Sequence, residues 1–193
     1  MNDHSLRGAG GCILWLTGLS ASGKTTLGEA LHTELQRHDL GAVLLDGDAL
    51  RKTISQDLGF SREDRLENMR RIGILAEETA GQGSIVIVAA ISPYRDMREG
   101  LRRASAVPFF EVFVDAPLSV CEGRDPKGLY QAARAGLLQR FTGIDDVYEA
   151  PQTPDAHCQT DRETHAESVE KLMKLLQPWL ASSHDRSSGV HTE

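Results

Sequence analysis

The chain has 193 residues, 40% of them hydrophobic and 25% charged, which suits one globular domain of ordinary size with a full core. Its formal net charge of −7 argues against nucleic acid or an anionic membrane as a partner, so an anionic ligand would need a local concentration of Lys and Arg. No apolar run approaches the roughly 20 residues needed to span a bilayer, and the N-terminus lacks the apolar core of a secretory signal.

Short apolar segments alternate with longer amphipathic segments along the chain. The apolar segments, which predict strands, cover residues 12–18, 42–48, 84–90 and 109–115. The segments with helical spacing cover residues 25–38, 61–83, 95–105 and 165–180. The predicted strands alternate with predicted helices, and consecutive residues of the strands are apolar, as in strands buried on both faces. The pattern therefore predicts an α/β fold with a parallel, doubly wound sheet.

The same pattern predicts one domain over residues 11–181, preceded by a flexible N-terminus (1–10). Residues 122–150 are charged, contain glycine and have weak periodicity, which favours a lid-like segment. Residues 182–193 are small and polar and are predicted to form a disordered tail. Three scattered cysteines, Cys12, Cys121 and Cys158, are typical of reduced, partly buried thiols in a cytoplasmic protein.

A phosphate-binding loop follows the first strand. Residues 18–25, "GLSASGKT", match G-x-x-x-x-G-K-[ST] between a predicted strand and a predicted helix. Its glycines let successive N–H groups point at one anion, and the helix N-terminus adds its positive end. Lys24 can reach the β- and γ-phosphates, and the Thr25 hydroxyl can bind Mg²⁺. The loop predicts a nucleotide site but does not identify the reaction.

Two aspartates follow the second apolar segment. Because the second strand is predicted to run through residue 48, Asp46 and Asp48 are expected to point to the same face at the carboxyl edge of the sheet. They could then serve a Mg²⁺ ion and an acceptor hydroxyl. The alternative is an ordinary Asp-Gly turn with two solvated acids.

The long helix begins with a capping box of Ser61 and Asp64 and ends at Gly81. Arg65 and Asn68 share one face of it, and Phe60 precedes it, where an exposed ring could stack on a base. The alternative is a hydrophobic staple between Phe60 and the Arg65 stem on a solvated helix whose arginines pair with its acids.

The charged segment 122–150 carries Arg124, Lys127, Arg134 and Arg140, and Phe141 is a second candidate for stacking. Mobile basic segments of this kind close over phosphates and exclude water. The alternative is a surface insertion with Leu137, Leu138 and Phe141 packed under it.

Ser92 and Pro93 follow the third apolar segment. The local pattern predicts a helix start, with Ser92 as the cap and Pro93 in the first helical position. Because the third strand ends at the same edge as Gly18 and Asp46, Ser92 is also expected to face the cleft.

Four blocks, in the same order, resemble the adenylyl-sulfate kinase family of P-loop kinases. They are "GLSASGKTT", "LDGDALR" with "LGFSREDRLENMRR", "ISPYR" and "FVDAPLSVCEGRDPKGLYQAARAGLLQRFTGID". Together they cover most of residues 14–151, and the last block is long and specific. Other P-loop kinases of small metabolites share only the first block.

The resemblance implies a P-loop kinase fold, with a sheet of five parallel strands flanked by helices and a mobile lid. It implies transfer of the γ-phosphate of ATP to the 3′-hydroxyl of adenosine 5′-phosphosulfate in sulfate assimilation. Its members are usually dimers, and some carry a sulfurylase domain, so a homodimer and association with a sulfurylase are the expected partners.

The resemblance also implies a role for individual residues. Asp48, Lys24 and Ser92 match catalytic positions; Asp48 orients or deprotonates the hydroxyl, and Ser92 matches a family phosphoserine, in some members an intermediate. Thr25 and Asp46 match the Mg²⁺ positions. The expected ATP-binding residues are Gly18, Leu19, Ser20, Ala21, Ser22, Gly23, Lys24, Thr25, Thr26 and Arg124. The expected residues for the phosphosulfate nucleotide are Asp48, Arg51, Phe60, Arg65, Asn68, Ile91, Ser92, Lys127 and Phe141, with Phe60 and Phe141 sandwiching its adenine.

Two other functions stay open at this point. One is a P-loop kinase for another small hydroxyl compound. The other is a catalytically silent nucleotide-binding module that regulates a sulfurylase, although the intact Lys24, Thr25 and Asp48 argue against it.

Overall fold

A computed structural model describes residues 10–187, without the side chains of residues 178, 179 and 181–187. These residues form five strands, β1 (Cys12–Thr17), β2 (Ala42–Asp46), β3 (Ile85–Ala89), β4 (Phe109–Asp115) and β5 (Ala156–Gln159). They also form seven helices, α1 (Lys24–Arg37), α2 (Gly47–Arg51), α3 (Arg62–Gly81), α4 (Arg95–Ala104), α5 (Leu118–Arg124), α6 (Leu129–Arg134) and α7 (His165–Ser187).

The strands form one parallel sheet in the order β2-β3-β1-β4-β5. The chain crosses to the other side of β1 between β3 and β4, so the strand order reverses at β1. Ligands of open α/β sheets bind at the carboxyl ends of the strands next to such a reversal. The predicted α/β fold with a five-stranded parallel sheet is therefore confirmed, and its topology indicates where the site lies.

Helices cover both faces of the sheet, because alternate residues of β1 point to opposite sides. Leu14 and Leu16 pack on one face with α1 and α7, whereas Ile13 and Trp15 pack on the other with α3 and α4. Cys12, Cys121 and Cys158 are all buried and unpaired, as predicted, and burial raises the pKa of the Cys12 thiol to about 12 and that of Cys158 to about 11. No helix within residues 10–187 has both the length and the apolar character to cross a membrane.

Most predicted elements lie within a few residues of the observed ones, and the first difference is at the end of β2. This strand stops at Asp46, and α2 begins at Gly47, so Asp48 is not in extended backbone. The Asp46 side chain accepts hydrogen bonds from the N–H groups of Asp48 and Ala49 and thereby starts the helix. The prediction that both aspartates point to one face of a strand is wrong for this reason.

The start of α3 agrees with the sequence, since Ser61 and Asp64 form the predicted capping box and Gly81 is the last helical residue. The start of α4 differs from the one that the sequence predicts. The N-cap residue is Tyr94, and the first helical N–H, that of Arg95, donates to the Glu149 carboxylate at 2.7 Å. Ser92 therefore does not cap this helix, because the side chain of Glu149, 54 residues beyond Arg95, does so.

The segment 122–150 contains more regular structure than its weak periodicity suggested. It includes the end of α5 and all of α6, and the segment packs over a small buried cluster that contains Cys121, Tyr130 and Phe141. Leu138 packs against this cluster, as the surface-insertion alternative expected, whereas Leu137 is 83% exposed. The mobility of this segment stays a prediction.

Helix α7 continues to Ser187 and so includes residues 182–187 of the predicted C-terminal tail. The disorder of this tail stays a prediction. Residues 188–193 of that tail, and residues 1–9 of the predicted flexible N-terminus, lie outside the described part of the chain.

A buried arginine joins α4 to the sheet and to the chain that leaves β3. Arg98 is 1% exposed, and its guanidinium donates to the Glu111 carboxylate at 2.6 Å, to Ser92 O at 2.6 Å and to Glu149 O at 2.7 Å. Each direction of the planar guanidinium thus has an acceptor, which is the condition under which a buried charge is tolerated.

We expect Arg98→Met to lower the free energy of unfolding by roughly 3–5 kcal/mol, because it leaves the mostly buried Glu111 carboxylate without its partner. Urea unfolding followed by circular dichroism measures the loss. The control is Arg103→Met, the same substitution at a 70% exposed position of the same helix, which should cost less than about 0.5 kcal/mol. Equal losses in the two variants would contradict the assigned role of Arg98.

Candidate active site

A cavity of about 890 Å³ opens at the carboxyl edge of the sheet. It connects the phosphate-binding loop, the first turns of α2 and α3, the chain after β3 and the segment after α5. The predicted site residues that line it are Ser20, Ala21, Gly23, Lys24, Thr25, Thr26, Asp46, Asp48, Arg51, Phe60, Arg65, Asn68, Ile91, Ser92, Arg124, Lys127 and Phe141. Gly18, Leu19 and Ser22 do not line it; they belong to the loop beneath.

The phosphate-binding loop has the backbone that its glycines predict. A Cβ at Gly18 would lie 2.2 Å from Val114 O, and Gly23, the N-cap of α1, has φ of 100°. Because Gly23 offers no side-chain acceptor, no cap satisfies the first N–H groups of α1. These donors, at the positive end of a 14-residue helix, form an anion site against the cavity.

The Lys24 ammonium lies within the loop. It is 8% exposed and donates to Gly18 O at 3.0 Å and to Leu19 O at 2.6 Å. Burial lowers the pKa of Lys24 to about 8, while the carboxylates of Asp48 and Asp46 partly oppose the shift. A phosphate anion in the loop would therefore meet a cation that burial has made easier to deprotonate.

Asp46 connects the loop to α2. Its Oδ2 accepts the Thr25 hydroxyl at 2.8 Å, and its Oδ1 accepts the N–H groups of Asp48 and Ala49, each at 3.0 Å. No cluster of three or more His, Cys, Asp or Glu side chains that could hold a metal occurs among the described residues. A hydroxyl and one carboxylate beside a phosphate loop fit Mg²⁺, which keeps waters and takes further ligands from nucleotide phosphates.

Asp48 lies in the first turn of α2, 64% exposed, and forms an ion pair with Lys127 from the turn between α5 and α6. Burial lowers the pKa of both Lys24 and Arg51, and the Asp48 charge acts against this lowering. Asp48 lines the same cavity as the phosphate loop and as the cationic wall described next.

Two arginines lie around the exposed Phe60 ring. The Arg51 guanidinium is 4.4 Å from the ring centroid and that of Arg65 is 5.6 Å from it. Burial and the neighbouring Arg65 charge lower the pKa of Arg51. The contact between Phe60 and Arg65 agrees with the staple alternative, but Phe60 is still 49% exposed and lines the cavity. Phe60 and its two arginines form an aromatic and cationic wall suited to an anionic nucleotide.

Arg65 also fixes the opposite wall. It donates to Arg140 O and lies 3.5 Å from the Asp146 carboxylate. The Asp145 carboxylate accepts the N–H groups of Arg140 and Phe141, which lowers the pKa of Asp145. Phe141, 8% exposed, contacts Tyr130 edge-on at 4.9 Å. The second predicted stacking ring is therefore part of a well-fixed turn.

Two buried oxygens that line the cavity have no hydrogen-bond partner. They are Asn68 Oδ1, predicted as a substrate contact, and Thr142 Oγ1, which the sequence did not indicate. Each residue is 3% exposed or less. Buried polar atoms are expensive without a partner, so both atoms favour a ligand with complementary polar groups.

Ser92 lines the cavity, but its hydroxyl is already engaged. Ser92 is 1% exposed; its Oγ accepts Trp15 Nε1–H at 2.8 Å and lies 3.3 Å from Met69 Sδ. Its backbone has φ of 48°, and Arg98 and Thr17 donate to its carbonyl oxygen. This geometry holds the chain after β3 in a strained conformation and directs the hydroxyl into the core.

Sequence reasoning missed several residues that hold the loop in place. Thr160 Oγ1 donates to Ser22 O at 2.7 Å, and Tyr130 OH donates to Ser20 O at 3.0 Å. Arg124 donates to Thr160 O at 2.7 Å and to Ala21 O at 3.3 Å. No local pattern identifies such contacts. For Arg98 the sequence contains a weak indication of burial, since Arg98 lies three residues before Leu101 and so on the inner face of α4.

Comparison with known proteins agrees with this geometry. The family model described as adenylylsulphate kinase matches residues 10–159. The adenylyl-sulfate kinase of Picosynechococcus sp. (strain ATCC 27264 / PCC 7002 / PR-6) is 52% identical over 166 residues, which are 86% of this chain and 93% of the relative.

Solved structures are also similar. The Mycobacterium tuberculosis APS kinase in complex with AMPPNP and APS has a TM-score of 0.84 and 42% identity, over 88% of this chain and 99% of that one. A hexameric APS kinase from Thiobacillus denitrificans has a TM-score of 0.65 and 29% identity, over 92% of this chain and 30% of that one. With a family model that spans most of its length and a relative at 52% identity, this chain belongs to the adenylylsulphate kinase family.

Proposed function

We propose that the chain transfers the γ-phosphate of ATP to the 3′-hydroxyl of adenosine 5′-phosphosulfate, giving 3′-phosphoadenosine 5′-phosphosulfate and ADP, as a step of sulfate assimilation. The observation that carries this proposal is the cavity that joins the phosphate loop to the Phe60 wall and is lined by Asp48 as well. Similarity to adenylyl-sulfate kinases, and to one solved with AMPPNP and APS, supports the assignment.

The loop side of the cavity binds ATP. The N–H groups at the start of α1 cradle the phosphates, and Lys24 exchanges its loop carbonyls for phosphate oxygens. Thr25 and Asp46 would hold Mg²⁺. The ion, when bound, neutralises charge on the phosphates. Arg124, fixed by Thr160, covers the loop from the side of α5.

The opposite side binds the acceptor nucleotide. Phe60 and Phe141 flank its adenine, while Arg51, Arg65 and Lys127 bind its phosphosulfate group. The unpartnered Asn68 oxygen gains a polar partner, and Ile91 and Ser92 line the floor. Water exclusion and positioning by these groups lower the barrier of transfer.

Asp48 accepts the proton of the 3′-hydroxyl while that oxygen attacks the γ-phosphorus. Transfer is direct, because the Ser92 hydroxyl is engaged by Trp15 in the core and serves to hold the chain after β3. A homodimer, association with a sulfurylase, a mobile lid and a cytoplasmic location stay predictions from the sequence; a hexameric relative shows that assembly occurs among similar kinases.

The purified protein with ATP and Mg²⁺ should convert adenosine 5′-phosphosulfate to a product that carries the new phosphate on the 3′-oxygen, as phosphorus NMR of the product shows. Intact-mass spectrometry of the enzyme during turnover should find no phosphate on Ser92. Phosphorylation of a sugar or nucleoside instead of the phosphosulfate would favour a kinase for another metabolite. Absence of all transfer would favour a silent module.

We expect Asp48→Ala to lower kcat by about 10²–10⁴-fold, since a positioned general base contributes about that factor. Adenosine 5′-phosphosulfate should still bind, as calorimetry measures. The control is Asp96→Ala, which removes another first-turn carboxylate that is 65% exposed and paired with an arginine, and it should retain turnover. Turnover that survives in Asp48→Ala would remove Asp48 from the role of base.

ATP binding should take up a proton near pH 8.5. The pKa of Lys24 is about 8 in the protein alone, and the phosphate charge raises it, so the amine that is neutral above pH 8 becomes an ammonium in the complex. ATP affinity should therefore fall as the pH rises through about 8. Calorimetry in buffers of different ionisation enthalpy measures the uptake, which should disappear in Lys24→Arg, whose guanidinium stays charged. Equal uptake in both proteins would contradict this assignment.

A further inference from the structure

The ion pair between Lys127 and Asp48 connects two sides of the cavity. Asp48 belongs to the first turn of α2, and Lys127 belongs to the turn between α5 and α6, 79 residues further along the chain. Both side chains line the cavity. The ammonium hydrogen-bonds to Asp48 Oδ2, so it occupies one oxygen of the carboxylate that the proposed function uses as its base.

The pair is easily exchanged. The two side chains are 55% and 64% exposed, and ion pairs at such exposure contribute little to stability. Lys127 lies between Pro126 and Gly128, and nothing lies within 4 Å of the Cβ position of Gly128, which has φ of 65°. Another anion of higher charge that enters the cavity competes directly for this ammonium.

We propose that Lys127 determines specificity for the acceptor against water. Lys127 pairs with Asp48 until the phosphosulfate group of the acceptor takes the ammonium, and this exchange frees Asp48 to accept the hydroxyl proton. The inference rests on the proposed function. The exchange makes Asp48 Oδ2 available when the correct acceptor is bound, whereas the ion pair occupies that oxygen for much of the time when no acceptor is present.

The competing reaction is hydrolysis of ATP. A water oxygen forms a bond to the γ-phosphorus, the bond from that phosphorus to the β,γ-bridging oxygen breaks, and its electron pair leaves with ADP. The water proton passes to the Asp48 carboxylate and then to solvent, so the products are ADP, inorganic phosphate and a proton. The Lys127 ammonium occupies Asp48 Oδ2, so a water at that position cannot pass its proton to this oxygen while the pair is intact.

The arrangement of the other cations supports the exchange. Arg51 and Arg65 lie around Phe60, and Arg51 lies close enough to Asp48 and Arg65 for both charges to act on its pKa. An acceptor anion drawn to this wall comes close to Asp48 and hence to the ammonium that pairs with it. Lys127 then completes the anion site, and the same movement uncovers the base.

The test measures ADP formation from ATP and Mg²⁺ with and without adenosine 5′-phosphosulfate. In Lys127→Met the rate without acceptor should rise about two- to sixfold, because an exposed ion pair occupies Asp48 for only part of the time and its removal frees the base fully. The KM for the acceptor should rise about tenfold through loss of a charged hydrogen bond. Lys127→Met/Asp48→Asn should return the hydrolysis to the wild-type rate, and Lys127→Arg, which can still pair with Asp48, should keep it low.

The matched control is Lys174→Met, which removes an exposed lysine paired with Glu170 on α7, outside the cavity lining. It should change neither rate. Unchanged or slower hydrolysis in Lys127→Met, or a rise that persists in the double variant, would overturn the inference. If the wild-type protein does not phosphorylate the acceptor, the proposed function fails, whereas the comparison of hydrolysis rates without acceptor still decides whether Lys127 restrains Asp48.

Discussion

The carboxylate of Asp46 sets the geometry on which the site depends. One of its oxygens starts α2 by accepting two backbone N–H groups, and the other accepts the hydroxyl of Thr25 in the first turn of α1. The phosphate loop and the helix that carries Asp48 are thereby fixed to each other at the edge of the sheet. Phosphoryl transfer relies on the positioning of groups and on electrostatics more than on covalent chemistry by the protein. The hydrogen bonds of Asp46 therefore contribute to catalysis by fixing positions, beyond what they contribute to stability.

The cavity concentrates positive charge within a protein whose formal net charge is −7. Three of its cations already have a partner within the protein. Lys24 donates to the loop carbonyls, and Arg51 donates to the carbonyls of residues 58 and 59. Lys127 donates to the carboxylate of Asp48. Ligand binding therefore exchanges hydrogen bonds and does not simply add them. The net gain comes from replacing neutral carbonyls and one carboxylate with phosphate or phosphosulfate oxygens of higher charge.

The fold and most of the cavity lining could be predicted from the sequence, because strand–helix alternation and the phosphate-loop motif are local patterns. The errors arose at the ends of strands, where side-chain contacts decide the backbone. Asp46 caps the backbone N–H of Asp48 two residues later, so the second strand ends before the predicted residue 48. Glu149, far along the chain, takes the capping role that the local pattern assigns to Ser92. Arg98 and Thr160, which fix the site from behind, make contacts that no spacing rule encodes.

These fixed contacts also limit which movements the site can make at low cost. Displacement of the whole segment 122–150 would break the hydrogen bonds from Arg124 to Thr160, from Tyr130 to Ser20 and from Arg65 to Arg140. Rotation of the Lys127 side chain breaks one exposed ion pair, which costs about 0–1 kcal/mol. Release of Asp48 therefore does not need a large lid movement, because the exposed ion pair of Lys127 with Asp48 is weaker than these three hydrogen bonds together.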